Sequence, residues 1–197
     1  MKERLDILKE LLDLGFVSTD ETGEIKNKDK IVLLHIYESK LKGKDAAFDE
    51  SLQKKLEKNV SISADEFKED LLAAHNILGA KKQQQLGQGE KLGMGKSFDN
   101  LQDEVFEAKR RFKLAKDNYD DFALYMQDED SLNKLFKKGG IKDTEAAKKV
   151  MLKKFDEVEK QYVGLQVEQL NRAVDYLVWF DVRAGGFSQP QLVQERA

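Results

Sequence analysis

The sequence contains no cysteine and a single proline, Pro190. Without thiols there can be no disulfide, no thiolate zinc site and no cysteine nucleophile. Because the one proline lies beyond the last apolar-periodic segment, nothing breaks a long helix from within. Histidine is almost as scarce, with only His35 and His75. No apolar run approaches the ~20 residues that a membrane span needs. The opening residues Met1 to Asp6 mix charges of both signs and lack the apolar core of a secretory leader. These absences lead us to expect a soluble, cytoplasmic protein with no membrane partner. Lys and Arg total 34 against 37 Asp and Glu, a net charge of −3. Only residues 81–96 carry a positive excess, so no broad nucleic-acid footprint is visible.

What remains is an all-α pattern. In the 197 residues, 36% of side chains are charged and 40% hydrophobic. Residues 1–79 read as a compact domain of four short helices. Leu5, Leu8, Leu11 and Leu12 share the face of the first, which stops at Gly15, and Phe16 is expected to fold back onto it. A second helix covers Asp29 to Leu41 with Ile31, Leu34, His35 and Tyr37, and a third covers Ala46 to Leu56. The fourth opens with the Ser63/Glu66 capping box and is expected to close at Gly79.

Residues 80–97 turn abruptly to Gly, Gln and Lys and read as a linker. Residues 98–183 then form the strongest pattern in the chain. Phe98, Leu101, Val105, Ala108, Phe112, Ala115, Tyr119, Phe122 and Met126 alternate spacings of three and four, the a/d seam of a coiled coil. A short elbow helix at 131–138 closes at Gly139 and Gly140. The last helix, from Asp143 to about Val182, repeats the seam through Met151, Phe155, Val158, Tyr162 and Leu165, then loses its phase. A long antiparallel helical hairpin is the simplest expectation. Residues 184–197, which hold the proline and no period, are expected to form an extended tail.

Residues 18–29 place Asp20 third, Thr22 fifth, Gly23 sixth, Ile25 eighth and Asp29 twelfth in a polar stretch between two helices. They resemble the calcium loop of the EF-hand family, over about forty residues with the flanking helices. Ile62, thirty-seven residues after Ile25, precedes Ser63 and Glu66 as the second loop of an EF-hand pair would. The resemblance implies Asp20, Thr22 and Asp29 as candidate metal ligands. The sequence departs from it with Ser18 at the first position, Lys26 at the ninth, and Val60 where the second loop needs glycine. We therefore expect no bound metal. The loop reads as a polar turn at Thr22-Gly23 with Asp29 capping the next helix, or as an inactive helix-loop-helix pair that grips a peptide.

Gly89 to Ser97 is similar to a phosphate-binding P-loop, but Glu90 stands where the first glycine belongs and no strand precedes it. Lys109, Arg110, Arg111 and Lys113 are candidate anion or nucleic-acid contacts, offset by Asp117, Asp120 and Asp121 two turns on. His35 and Glu38 reverse the Glu-x-x-His order of di-iron bundles, and His75 reads as a structural residue near its helix end. With no nucleophile–base pair, no cofactor and no catalysis are expected.

Tyr176, Trp179, Phe180 and Phe187 concentrate aromatic surface where the last helix becomes apolar nearly all round. Such a helix needs cover from more than one side, by the N-terminal domain or by another chain, and these four residues are the candidate partner-binding set. The expectation is a non-enzymatic structural or assembly protein that makes protein–protein contacts through its long helices and tail. It would be a homo-oligomer or a subunit of a larger complex such as a phage virion. The alternatives are a regulatory helix-loop-helix adaptor that binds calcium or a peptide, and a nucleic-acid-associated protein.

Overall fold

The computed structural model describes residues 6–87 and 94–183. Seven helices span them: α1 (Asp6–Leu14), α2 (Asn27–Leu41), α3 (Glu50–Lys58), α4 (Ala64–Gly87), α5 (Met94–Gln127), α6 (Glu129–Lys138) and α7 (Thr144–Arg183). Extended backbone pairs among the described residues only at an isolated antiparallel bridge, Thr19 to Ile25. The fold is all-α, and no helix among the described residues is long and apolar enough to cross a membrane.

Local chemistry sets most boundaries. Gly15 takes φ +84 after α1, and the Phe16 amide donates back to the Leu11 carbonyl at 3.2 Å, which turns the fully buried Phe16 ring onto the helix. Asp49 accepts from the Leu52 amide at 2.9 Å and so starts α3 at Glu50, later than the expected Ala46. Lys26 holds the N-cap position of α2. Asp29, expected to be that cap, is instead the third residue of the helix, within its first turn. Ser63 Oγ accepts from the Glu66 amide at 3.2 Å ahead of α4. Asp143 accepts from the Ala146 amide at 3.1 Å ahead of α7.

The expected stop at Gly79 does not occur, and α4 continues to Gly87. An internal glycine costs a helix ~1 kcal/mol, and tertiary contacts outweigh that cost here. Leu78 is buried, Lys81 Nζ donates to the Leu41 carbonyl at 3.1 Å, and Lys82 Nζ lies 5.1 Å from the Trp179 ring centroid. The segment expected as a linker, 80–97, is thus helical through Gly87 and again from Met94. Residues 88–93 lie outside the described residues, as does the expected tail at 184–197 with Phe187.

Aromatic rings join α5 to α7 in reversed order along the two helices. Phe112 stacks on Tyr162 with centroids 5.3 Å apart, Tyr119 on Tyr162 at 4.5 Å, Tyr119 on Phe155 at 5.7 Å, and Phe122 on Phe155 at 5.7 Å. Beyond Tyr162, α7 changes role. Val163, Val167, Leu170, Ala173, Val174, Leu177, Val178 and Val182 are buried in one cluster with Leu11, Phe16, Leu33, Ile36, Leu52 and Phe67 from the N-terminal helices. There α7 packs against α2, α4 and α5. A helix surrounded by three others must be apolar on several faces, which is the physical reason its seam loses phase after Leu165.

Candidate functional site

The change of role in α7 opens a pocket of about 360 Å³ where the start of α2, the inner face of α3, the middle of α5 and residues 156–166 of α7 meet. Val32, Phe48, Leu56 and Val163 supply its apolar lining. Two phenol rings, Tyr119 and Tyr162, stand in its wall nearly parallel, with an interplanar angle of 6°. Asp29 also lines it and is 6% exposed. Its Oδ2 accepts from the Ser18 amide at 2.9 Å and its Oδ1 from Gln166 Nε2 at 2.8 Å. Gln166 is held in turn, because the same nitrogen donates to the Phe16 carbonyl at 2.9 Å.

Burial governs the electrostatics. It pushes the Asp29 carboxyl above its ordinary range, against the opposing pull of the Gln166 and Ser18 hydrogen bonds. Burial, reinforced by Glu159, Asp120 and Asp29, raises the Tyr119 phenol to about 12. The Tyr162 phenol is pushed up by burial and then by Asp29 and Asp120. A buried carboxyl and two phenols that share one cavity make it the candidate site of this fold. Around the rim, charges pair across elements or turns: Lys28 with Glu159 at 3.2 Å, Lys116 with Asp120 at 2.9 Å, and Lys160 with Asp156 at 3.2 Å.

No protein-family model matches this sequence, and no curated protein or solved structure matches it either.

The calcium-loop candidates divide between two places. Asp20 Oδ1 accepts from the Thr22 hydroxyl at 2.6 Å, the Thr22 amide at 2.8 Å and the Glu24 amide at 3.2 Å. These bonds hold the carboxyl below the usual carboxylate range, the Thr22 hydroxyl foremost, and they commit the side chain to its own turn. Gly23 takes φ +85 there. Asp20 and Thr22 line a shallow outer recess, whereas Asp29 faces the inner pocket. Among the described residues no group of three His, Cys, Asp or Glu side chains is arranged to hold a metal ion.

Lys109, Arg110, Arg111 and Lys113 lie exposed on α5. Arg110 and Arg111 both reach back to Glu107, at 3.2 and 3.6 Å, which fits a solvated helix flank. Tyr176 and Trp179 are half-buried against the main core, and Phe180 tilts against Tyr176 with centroids 6.1 Å apart. Within the chain, this end of α7 is covered in part by the main core and by Lys82 of α4 over the Trp179 ring.

Sequence reasoning missed the polar groups that lock α7 into place. His75 lies in mid-α4, not near a helix end. Its Nε2 bonds Asp181 Oδ2 at 2.7 Å and its Nδ1 bonds the Tyr37 hydroxyl at 2.9 Å. The carboxylate can only accept, so Nε2 carries a hydrogen, and in the neutral imidazole Tyr37 donates to Nδ1. Tyr37 and His75 are fully buried, and burial followed by Asp181 raises the Tyr37 phenol. Asn171 clamps the backbone of Ala46 from both sides: Oδ1 accepts the amide at 3.0 Å and Nδ2 donates to the carbonyl at 2.7 Å. Lys40 bridges Asp45 and Asp175, both at 2.8 Å. The available signal was that polar residues in a stretch apolar on all sides must find buried partners.

Proposed function

We propose that this chain is a non-enzymatic assembly protein that packs against copies of itself through α5, α6 and the first half of α7. The observation that supports the reading is where large apolar side chains meet solvent. Of the ten large apolar side chains exposed among the described residues, eight, Phe106, Leu114, Leu124, Tyr125, Leu135, Ile141, Val150 and Leu152, lie between α5 and the first turns of α7, and Val60 and Ile77 lie elsewhere. In that segment α7 buries little, whereas from Val163 onward most of its side chains are covered. At 100° per residue, Val150 and Leu152 project from nearly opposite sides of α7. Apolar surface on more than one side favours several neighbours over one docked ligand.

Sedimentation velocity on the full chain across a concentration series tests this. Mass rising above 22.6 kDa with concentration, and a return to that value in Leu124→Glu/Leu152→Glu, is the expected pair of results. A mass fixed at the monomer value at every concentration refutes self-assembly. The Tyr176, Trp179 and Phe180 surface becomes secondary in this proposal, because part of it already packs within the chain.

A further inference from the structure

We infer that the pocket between α2, α3, α5 and α7 binds a small organic ammonium ion, an amine carried on a compact apolar body. The cavity, about 360 Å³, falls in the range of small-molecule sites. At its inner side stands a carboxylate with an incomplete electrostatic complement. Asp29 is 6% exposed, yet both of its hydrogen-bond donors, the Ser18 amide and the Gln166 side chain, are neutral. The charges of Lys26 and Lys116 reach Asp29 without a hydrogen bond to it, and a buried carboxylate hydrogen-bonded only by neutral donors is stabilised further by an opposite charge brought into contact with it. The wall beside it holds the Tyr119 and Tyr162 rings, whose faces are taken up by each other and by Phe155 and Phe112, so what they offer a ligand is their hydroxyls, which lie within electrostatic reach of Asp29 and can accept from an ammonium group.

The surrounding charges choose the sign of the ligand. From α5 come Lys116 and Asp120, from α7 Asp156, Glu159 and Lys160, from α3 Glu57, and from the start of α2 Lys26 and Lys28. Lys28, Lys116 and Lys160 are already matched by Glu159, Asp120 and Asp156. That leaves Asp29 and Glu57 against Lys26, a surplus of one negative charge. An anion would place a second negative charge beside Asp29, whereas an ammonium ion neutralises the surplus. The apolar body of such a ligand would meet Val32, Phe48 and Leu56. This inference does not depend on self-assembly, and neither result decides the other.

Calorimetry on the full chain at pH 7.5 with phenethylammonium and benzyltrimethylammonium tests it, with phenethyl alcohol and phenylacetate as neutral and anionic controls. At least one ammonium probe should bind with a Kd at or below ~1 mM, and both controls should bind at least tenfold more weakly. Affinity should fall as acid protonates Asp29. Asp29→Asn should lose at least tenfold. Because that variant removes a buried hydrogen-bonded group and could fail to fold, Lys26→Glu serves as a second variant: Lys26 is exposed, and reversing its charge should tighten ammonium binding severalfold. No heat with either ammonium probe at about 5 mM, a range where even millimolar sites fill, overturns the inference. So does phenylacetate binding as tightly as phenethylammonium, or a Lys26→Glu chain that binds the probes no better than the native one.

Discussion

Replacing Tyr37 with phenylalanine isolates one bond in the buried chain that links α2, α4 and α7. The substitution keeps the ring and removes only the hydroxyl that lies 2.9 Å from His75 Nδ1. Tyr37 and His75 both have zero exposure, so water cannot replace the lost donor. Removing one partner of a buried hydrogen bond costs about 1–3 kcal/mol, and full burial of both partners places this case near 2 kcal/mol. For a chain of this length that corresponds to a fall in Tm of about 4–8 °C. His75→Leu also takes the imidazole from Asp181, 2.7 Å away, and removes a donor from a buried carboxylate, which costs more than the about 1–3 kcal/mol of a neutral group. The decisive quantity is the coupling. In urea unfolding followed by circular dichroism, Tyr37→Phe should cost far less in the His75→Leu background, with an interaction energy of about 1–2 kcal/mol. Additive costs, or a Tyr37→Phe chain within ~0.5 kcal/mol of the native one, would refute the role given to this network.

Two further outcomes follow from backbone and charge. Gly164 lies inside α7 with nothing within 4 Å of the position a Cβ would take, so Gly164→Ala should raise stability by about 0.5–1 kcal/mol in the same urea assay. Asp29 has a raised carboxyl pKa in the folded chain, so the folded state keeps a proton that the unfolded state releases near pH 3.9. The associated stability is fully present below that pH and is lost as pH rises through the folded value. Denaturation measured from pH 3 upward should show the native chain losing ground relative to Asp29→Asn through that window, and a constant difference would contradict the burial of the charge.

The sequence made the helices legible where a single physical cause dominated. Phe112, Tyr119 and Phe122 could be placed on one α5 face because coiled-coil spacing admits few other readings, and Gly15 marked its turn because only glycine enters that conformation cheaply. Gly79 misled because a glycine's helical cost is small beside the burial of Leu78 and the contacts of Lys81 and Lys82. The pocket was harder to see. Tyr119 and Tyr162 read as seam residues, and they are, but the same rings also face the cavity. Asp29 attracted notice for the wrong loop position, since linear spacing could not show that α2 turns it toward Gln166, 137 residues away in sequence. Gln166 and Asn171 belong to no motif, and only the three-dimensional wrapping of α7 gives them partners.

The central position of α7 has a consequence for biosynthesis. Phe16 meets Gln166 across 150 residues of chain, and His75 meets Asp181 across 106. As the chain leaves the ribosome, α1 to α4 emerge without the helix that fills their shared interior, and closing such long loops is the slow step of folding. Their apolar faces must wait, uncovered, for α7 to arrive. A nascent chain of this protein should therefore be at its most vulnerable to aggregation just before residue 163 is made, and should fold in one late step rather than helix by helix.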